Sequence, residues 1–156
     1  MCCCGRNRDA IANGLPHTAG GPLAYLKGHA GGCLCGAVRF EAREKPDVLV
    51  GCHCSQCRRQ TGLYYASADV PVSAVTITGE ENLRWYQSSD EARRGFCSQC
   101  GSALFWQRLG GPAISILAGA FDEQNGLSFG YHIFCAGKGD FYEISDGVPQ
   151  YAAGRP

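Results

Sequence analysis

The sequence predicts a mainly β chain, and three observations carry that expectation. From Gly31 onward it breaks into short segments rich in β-branched and aromatic residues. Glycine-, serine- and asparagine-rich turn sequences separate them, as at Gly79-Glu80, Ser88-Ser89-Asp90, Gly110-Gly111-Pro112 and Gln124-Asn125-Gly126. No stretch of a dozen residues carries convincing helical periodicity, and 22 glycines suit a fold of many tight turns.

In chain order the candidate strands are 37–42, 48–51, 63–70, 73–78, 83–87, 95–97, 103–107, 113–118, 131–134 and 141–144. Residues 1–28 read differently. Asn-Gly, Leu-Pro and Gly-Gly-Pro breakers interrupt them without sustained periodicity, so an appended, poorly ordered arm is expected there, with one domain over 29–156. A chain of 156 residues is long enough for a substantial hydrophobic core.

Charge narrows the function classes. Fourteen basic residues balance 14 acidic ones, whereas gripping nucleic acid or anionic lipid needs a net basic face. No apolar run approaches the roughly 20 residues that span a bilayer. The first ten residues hold Arg6 and Arg8 but no apolar segment of a secretory signal, so a cytoplasmic location is expected. Charge balance gives no clue to oligomeric state.

Cysteine is the outlier, with 11 residues. The count is odd and the spacings are two and three, which favours metal ligation over a disulfide framework. Cysteines two apart on an extended strand also point the same way without meeting disulfide geometry. In Cys33-Leu34-Cys35-Gly36 that shared face lets both sulfurs reach one ion, and Gly36 lets the chain turn away. Cys97-Ser98-Gln99-Cys100-Gly101 is a knuckle pair, with Gly101 absorbing the turn. Together the two pairs offer four thiolates, the set of a closed structural zinc. Cys52-His53-Cys54-Ser55-Gln56-Cys57 offers three, the number typical of a zinc that keeps one position for substrate. Spacing alone also permits other groupings of the seven, including one ion or three.

These same segments resemble a known family. GGCLCGAVRF, CHCSQCRRQTG, FCSQCGSALFW and the later GYHIFCAGKGDFYEISDGVPQY are similar to the motifs of the glutathione-dependent formaldehyde-activating enzymes, a family that includes centromere protein V. The resemblance implies a β-tent fold of short antiparallel strands. It implies a structural zinc on Cys33, Cys35, Cys97 and Cys100, and a second, substrate-side zinc on Cys52, Cys54 and Cys57. It also implies a carbon–sulfur lyase or S-(hydroxymethyl)thiol synthase acting on a glutathione-like thiol and formaldehyde or a related aldehyde. Phe141 stands where many relatives carry tryptophan.

Chemistry agrees with that implication. A zinc held by three thiolates is a weaker Lewis acid than one held by three histidines, and a soft site favours a thiolate as its fourth ligand. A thiol held there is ionised near neutral pH yet still nucleophilic towards an aldehyde carbon. Two other readings use the same cysteines: a binding module with both zincs structural, and a glutathione carrier that accelerates nothing.

Around the cysteines, Arg58 and Arg59 are candidate contacts for the carboxylates of a tripeptide thiol, or else a solvated surface pair, or one of them offsets the zinc–thiolate charge. His53 should point away from the metal if its segment is extended. His132 is either a satisfied, partly buried histidine or a proton-transferring substrate contact. Tyr64, Tyr65, Trp85, Phe105 and Trp106 read as core or pocket wall, Cys135 as a small buried hydrophobe, and Cys2-Cys3-Cys4 as incidental.

Overall fold

The structure, a computed structural model, describes residues 29–122 and 126–156. The expectations for residues 1–28, Cys2-Cys3-Cys4 among them, and for Gln124 and Asn125 lie outside the described residues.

Ten strands and one short α-helix are present among the described residues. In chain order they are β1 (His29–Gly32), β2 (Arg39–Ala42), β3 (Leu49–Cys52), α1 (Ser55–Thr61), β4 (Tyr65–Pro71), β5 (Val75–Thr78), β6 (Leu83–Gln87), β7 (Ala92–Cys97), β8 (Ala103–Arg108), β9 (Ala113–Leu117) and β10 (Phe129–Ile133). They form a small sheet in the order β1-β2-β5 and a seven-stranded sheet in the order β10-β3-β4-β9-β8-β7-β6. The chain is mainly β, as its sequence predicts.

Three details differ. The segment 141–144 is turn and coil rather than strand, and it serves to carry Tyr142 against His53. β1 is an additional strand whose Gly31-Gly32 gives no side-chain pattern to read; its register with β2 supplies the pairing instead. The strands are antiparallel throughout except for β10, which adds to the sheet edge parallel to β3.

Side-chain alternation gives the large sheet two different faces. One face presents Val70 of β4, Ile114 and Ile116 of β9 and Phe105 of β8, all buried against Phe40 and Ala42 of the small sheet. Phe40 meets Phe105 and Phe121 edge-on, with ring centroids 5.7 and 5.3 Å apart. Each such side chain contributes about 1.5–3 kcal/mol by leaving water, so this layer holds the two sheets together. Among the described residues, no second sheet covers the opposite face of the large sheet. It carries the candidate site.

Candidate metal centre and cavity

Cys33 and Cys35 follow β1, Cys97 ends β7, and Cys100 lies in the turn before β8. Their sulfurs all lie within 4.8 Å of one another, with Cys33 and Cys35 3.5 Å apart and Cys35 and Cys97 3.8 Å apart. Four sulfurs each 2.3 Å from a central ion sit about 3.8 Å apart, so this arrangement fits a tetrahedral thiolate site. Gly36 and Gly101 turn with positive φ, 79° and 74°, which is the role their positions suggested. Backbone N–H groups of Val38 and Gln99 donate to the Cys33 and Cys97 sulfurs at 3.2 and 3.4 Å. Burial pushes the Cys100 thiol up, but hydrogen bonding to Ser102 outweighs it and holds the group at about 6.

The second group forms at a strand-to-helix corner. Cys52 ends β3, and Cys54 caps α1, its sulfur accepting the Cys57 N–H at 3.5 Å. A short polar cap and Gly62 in the left-handed region at the other end explain why seven residues coil here. The helix is too brief to leave a periodicity in the sequence. The three sulfurs again lie within 4.8 Å of one another, and no other His, Cys, Asp or Glu among the described residues joins them. Hydrogen bonding between Cys52 and Cys57 splits their acidities, with Cys52 raised and Cys57 lowered to about 6. Arg94 reinforces the lower value: it is buried, with Nη2 3.5 Å from the Cys57 sulfur and Nη1 2.7 Å from Gln60 Oε1.

Strand register then extends the site across the uncovered face. Cys52 lies opposite Tyr65, and Val50 opposite Ser67. Asp69, Ser115, Trp106 and Arg94 are successive cross-strand partners on β4, β9, β8 and β7. These side chains line a cavity of about 400 Å³ whose wall includes all three cysteines. Ser115 donates to Asp69 at 2.5 Å on its floor, and Tyr131, Ile133 and Phe134 complete the apolar side. Phe134 sits in the left-handed region at φ 55°, a conformation that costs a bulky residue energy and recurs beside functional sites. A larger hollow of about 620 Å³ between residues 45–48 and 126–128 contains no cysteine or histidine.

The histidines sit behind the cysteine corner. His53 points away from the three sulfurs and is fully buried, and His132 is only 2% exposed. Asp146 Oδ2, His132 Nε2, His132 Nδ1, His53 Nε2, His53 Nδ1 and the Tyr142 hydroxyl follow one another at 2.8, 2.8 and 2.5 Å. With the Asp146 carboxylate ionised, one consistent assignment exists for neutral rings. His132 Nε2–H donates to Asp146, His53 Nε2–H to His132, and the Tyr142 O–H to His53. Burial and the neighbouring His132 hold His53 down at about 4, consistent with a neutral ring. Gly51 makes the arrangement possible, because a Cβ there would lie 2.2 Å from His132 Nδ1. We expect His132→Leu to cost about 2–3 kcal/mol in urea unfolding by leaving His53 an unpaired buried donor, with Asp146→Asn costing less. Equal stability of wild type and H132L would contradict this clamp.

Of the remaining sequence candidates, Arg59 lines a separate hollow of about 430 Å³ with Tyr86 and Phe96, which shares Gln56, Ser88 and Arg94 with the cysteine cavity. Arg58 lines neither, and its Nε is buried without a hydrogen-bond partner. Cys135 is half-buried beside the Tyr151 backbone. Arg94, Tyr142 and Asp146 were not singled out from the sequence. An arginine inside a strand two residues before Phe96-Cys97 is the one local signal for the first; the other two needed the fold.

Comparison with known proteins agrees with this geometry. The profile of the family described as "Glutathione-dependent formaldehyde-activating enzyme" matches residues 28–137. An "uncharacterized lyase" of Schizosaccharomyces pombe is 28% identical over 122 residues, spanning 76% of this chain and 86% of the relative. A Halomonas elongata protein named "Putative glutathione-dependent formaldehyde-activating enzyme" is 32% identical over 100 residues, spanning 56% of this chain and 64% of that protein. A crystal structure of a Rhodobacter sphaeroides protein, a structural genomics target, shares the fold with a TM-score of 0.53 at 23% identity, covering 78% of this chain and 98% of that one. The chain belongs to the glutathione-dependent formaldehyde-activating enzyme family.

Proposed function

We propose that this chain is a zinc-dependent carbon–sulfur lyase that joins a glutathione-like thiol to formaldehyde or a related small aldehyde, and cleaves the same bond in reverse. The observation that carries this reading is the placement of Cys52, Cys54 and Cys57 on the wall of a cavity large enough for a small thiol. In this reading Cys33, Cys35, Cys97 and Cys100 hold a structural zinc, and the trio holds the zinc that meets substrate. Bound there, zinc supplies the positive charge that keeps a substrate thiol ionised near neutral pH.

The chain's own residues do the rest. Arg94 offsets the charge of the Cys57 thiolate and ties it to Gln60 on α1, fixing the corner. The apolar wall of Val50, Trp106, Tyr131, Ile133 and Phe134 displaces water from around the reacting carbon. Arg59, across the shared Gln56 and Ser88, is placed to pair with a carboxylate of a peptide thiol that extends into the neighbouring hollow. His132, behind the corner, supports the loop rather than touching substrate. A module with two structural zincs has no use for a cavity walled by three cysteine thiols, which favours the enzyme over that reading. Exchange spectroscopy on glutathione and formaldehyde separates the enzyme from a passive carrier. The zinc-loaded chain should speed hemithioacetal formation and breakdown together, and rates equal to the spontaneous reaction would contradict it.

A further inference from the structure

The Tyr65 hydroxyl is an anomaly in the cavity wall. Tyr65 is 3% exposed, and its hydroxyl is buried with no hydrogen-bond partner. A buried hydroxyl left unpaired costs about 1–3 kcal/mol, and phenylalanine at the same place would avoid that cost. The ring lies directly across from Cys52 on the neighbouring strand and lines the cavity with all three cysteines. The Arg94 guanidinium stands over the ring, 5.5 Å from its centroid. An unused O–H donor is thus carried by a cavity residue that faces Cys52 across the strand pair and has a cation over its ring.

Resting on the proposed thiol–aldehyde reaction, we propose that the Tyr65 hydroxyl is the catalytic donor that receives the aldehyde oxygen as it gains negative charge. In the forward direction a lone pair of the substrate thiolate forms the C–S bond, and the carbonyl π pair moves onto oxygen. That oxygen accepts the Tyr65 O–H as a hydrogen bond and then takes a proton from water. Water received one proton when the thiol ionised, so the sum is thiol plus aldehyde giving hydroxyalkyl thioether. Breakdown retraces the same path, with the hydroxyl proton leaving to water and the C–S pair returning to sulfur. A phenol is protonated across the working range, and burial pushes the Tyr65 hydroxyl further up, so it stays a donor. A preplaced donor of this kind strengthens as charge develops, which is the arrangement that lowers a barrier without tightening ground-state binding.

The test is Tyr65→Phe in the full chain loaded with zinc, with exchange rates, glutathione affinity by calorimetry and melting temperature measured together. The expected result is a turnover about 100-fold below wild type, or down to the spontaneous rate. Thiol affinity should change less than about twofold, because the donor acts on the aldehyde, and melting should be unchanged or slightly higher. Turnover of Y65F equal to wild type overturns the donor role while leaving the thiol–aldehyde reaction standing. Loss of folding in Y65F also overturns it, since the hydroxyl would then have a structural partner. Absence of acceleration by wild type overturns both.

Discussion

Replacing Cys97 with serine should remove one of two bound metals and lower the melting temperature by about 15 °C. Cys97 ends β7 in the large sheet, while Cys33 and Cys35 follow β1 of the small sheet. An ion on these four sulfurs therefore ties the two sheets together beside the core, to which Cys33 and Cys97 themselves belong. Binding energy at a structural zinc is folding energy, on the order of 10 kcal/mol for a complete thiolate set. Serine forfeits part of that, and a loss of about 4 kcal/mol in a domain of this size corresponds to the stated shift. Zinc content and calorimetric melting check it together. A variant with one metal fewer and unchanged melting would show that the four-cysteine site does not support the fold.

Cys54→Ser should behave in the opposite way. It should keep the first metal and most of the melting temperature, yet lose all acceleration of thiol addition to formaldehyde over the spontaneous reaction. Cys54 caps the seven-residue helix that follows β3, and serine is itself a good cap, so the local fold tolerates the change. What serine cannot do is provide the third soft ligand. Unchanged acceleration in this variant would remove the trio from the chemistry. The pair of substitutions thus separates a staple from a reactive site, although both are cysteine to serine.

Much of this was legible in the sequence because the informative residues act locally. The cysteine groups are read by spacing, and the segments 83–87 and 103–107 carry side chains that only a strand would use well. Gly36 and Gly101 follow their cysteines where a positive φ is needed, and both adopt one. Other features depend on partners far along the chain. Nothing local announces β1, whose two glycines are placed by pairing with β2. The 141–144 segment has strand composition, but its role is to hold Tyr142 on His53, 89 residues away. Arg94 acquires meaning only when register sets β7 next to β8 and brings the guanidinium to Cys57. His132 could be weighed as proton carrier or core residue from its neighbours. Its contacts with His53 and Asp146, and the glycine that makes room for it, are tertiary facts.

The two-metal reading rests on seven cysteines in two groups of different character, four closed on one another and three facing a cavity. Metal analysis of the purified, zinc-loaded chain, with glutathione then titrated into the sample, is its test. Two zinc ions per chain are expected, of which one exchanges or changes its coordination on adding thiol and the other does not. A single tightly held zinc per chain, or two that ignore thiol equally, would contradict it.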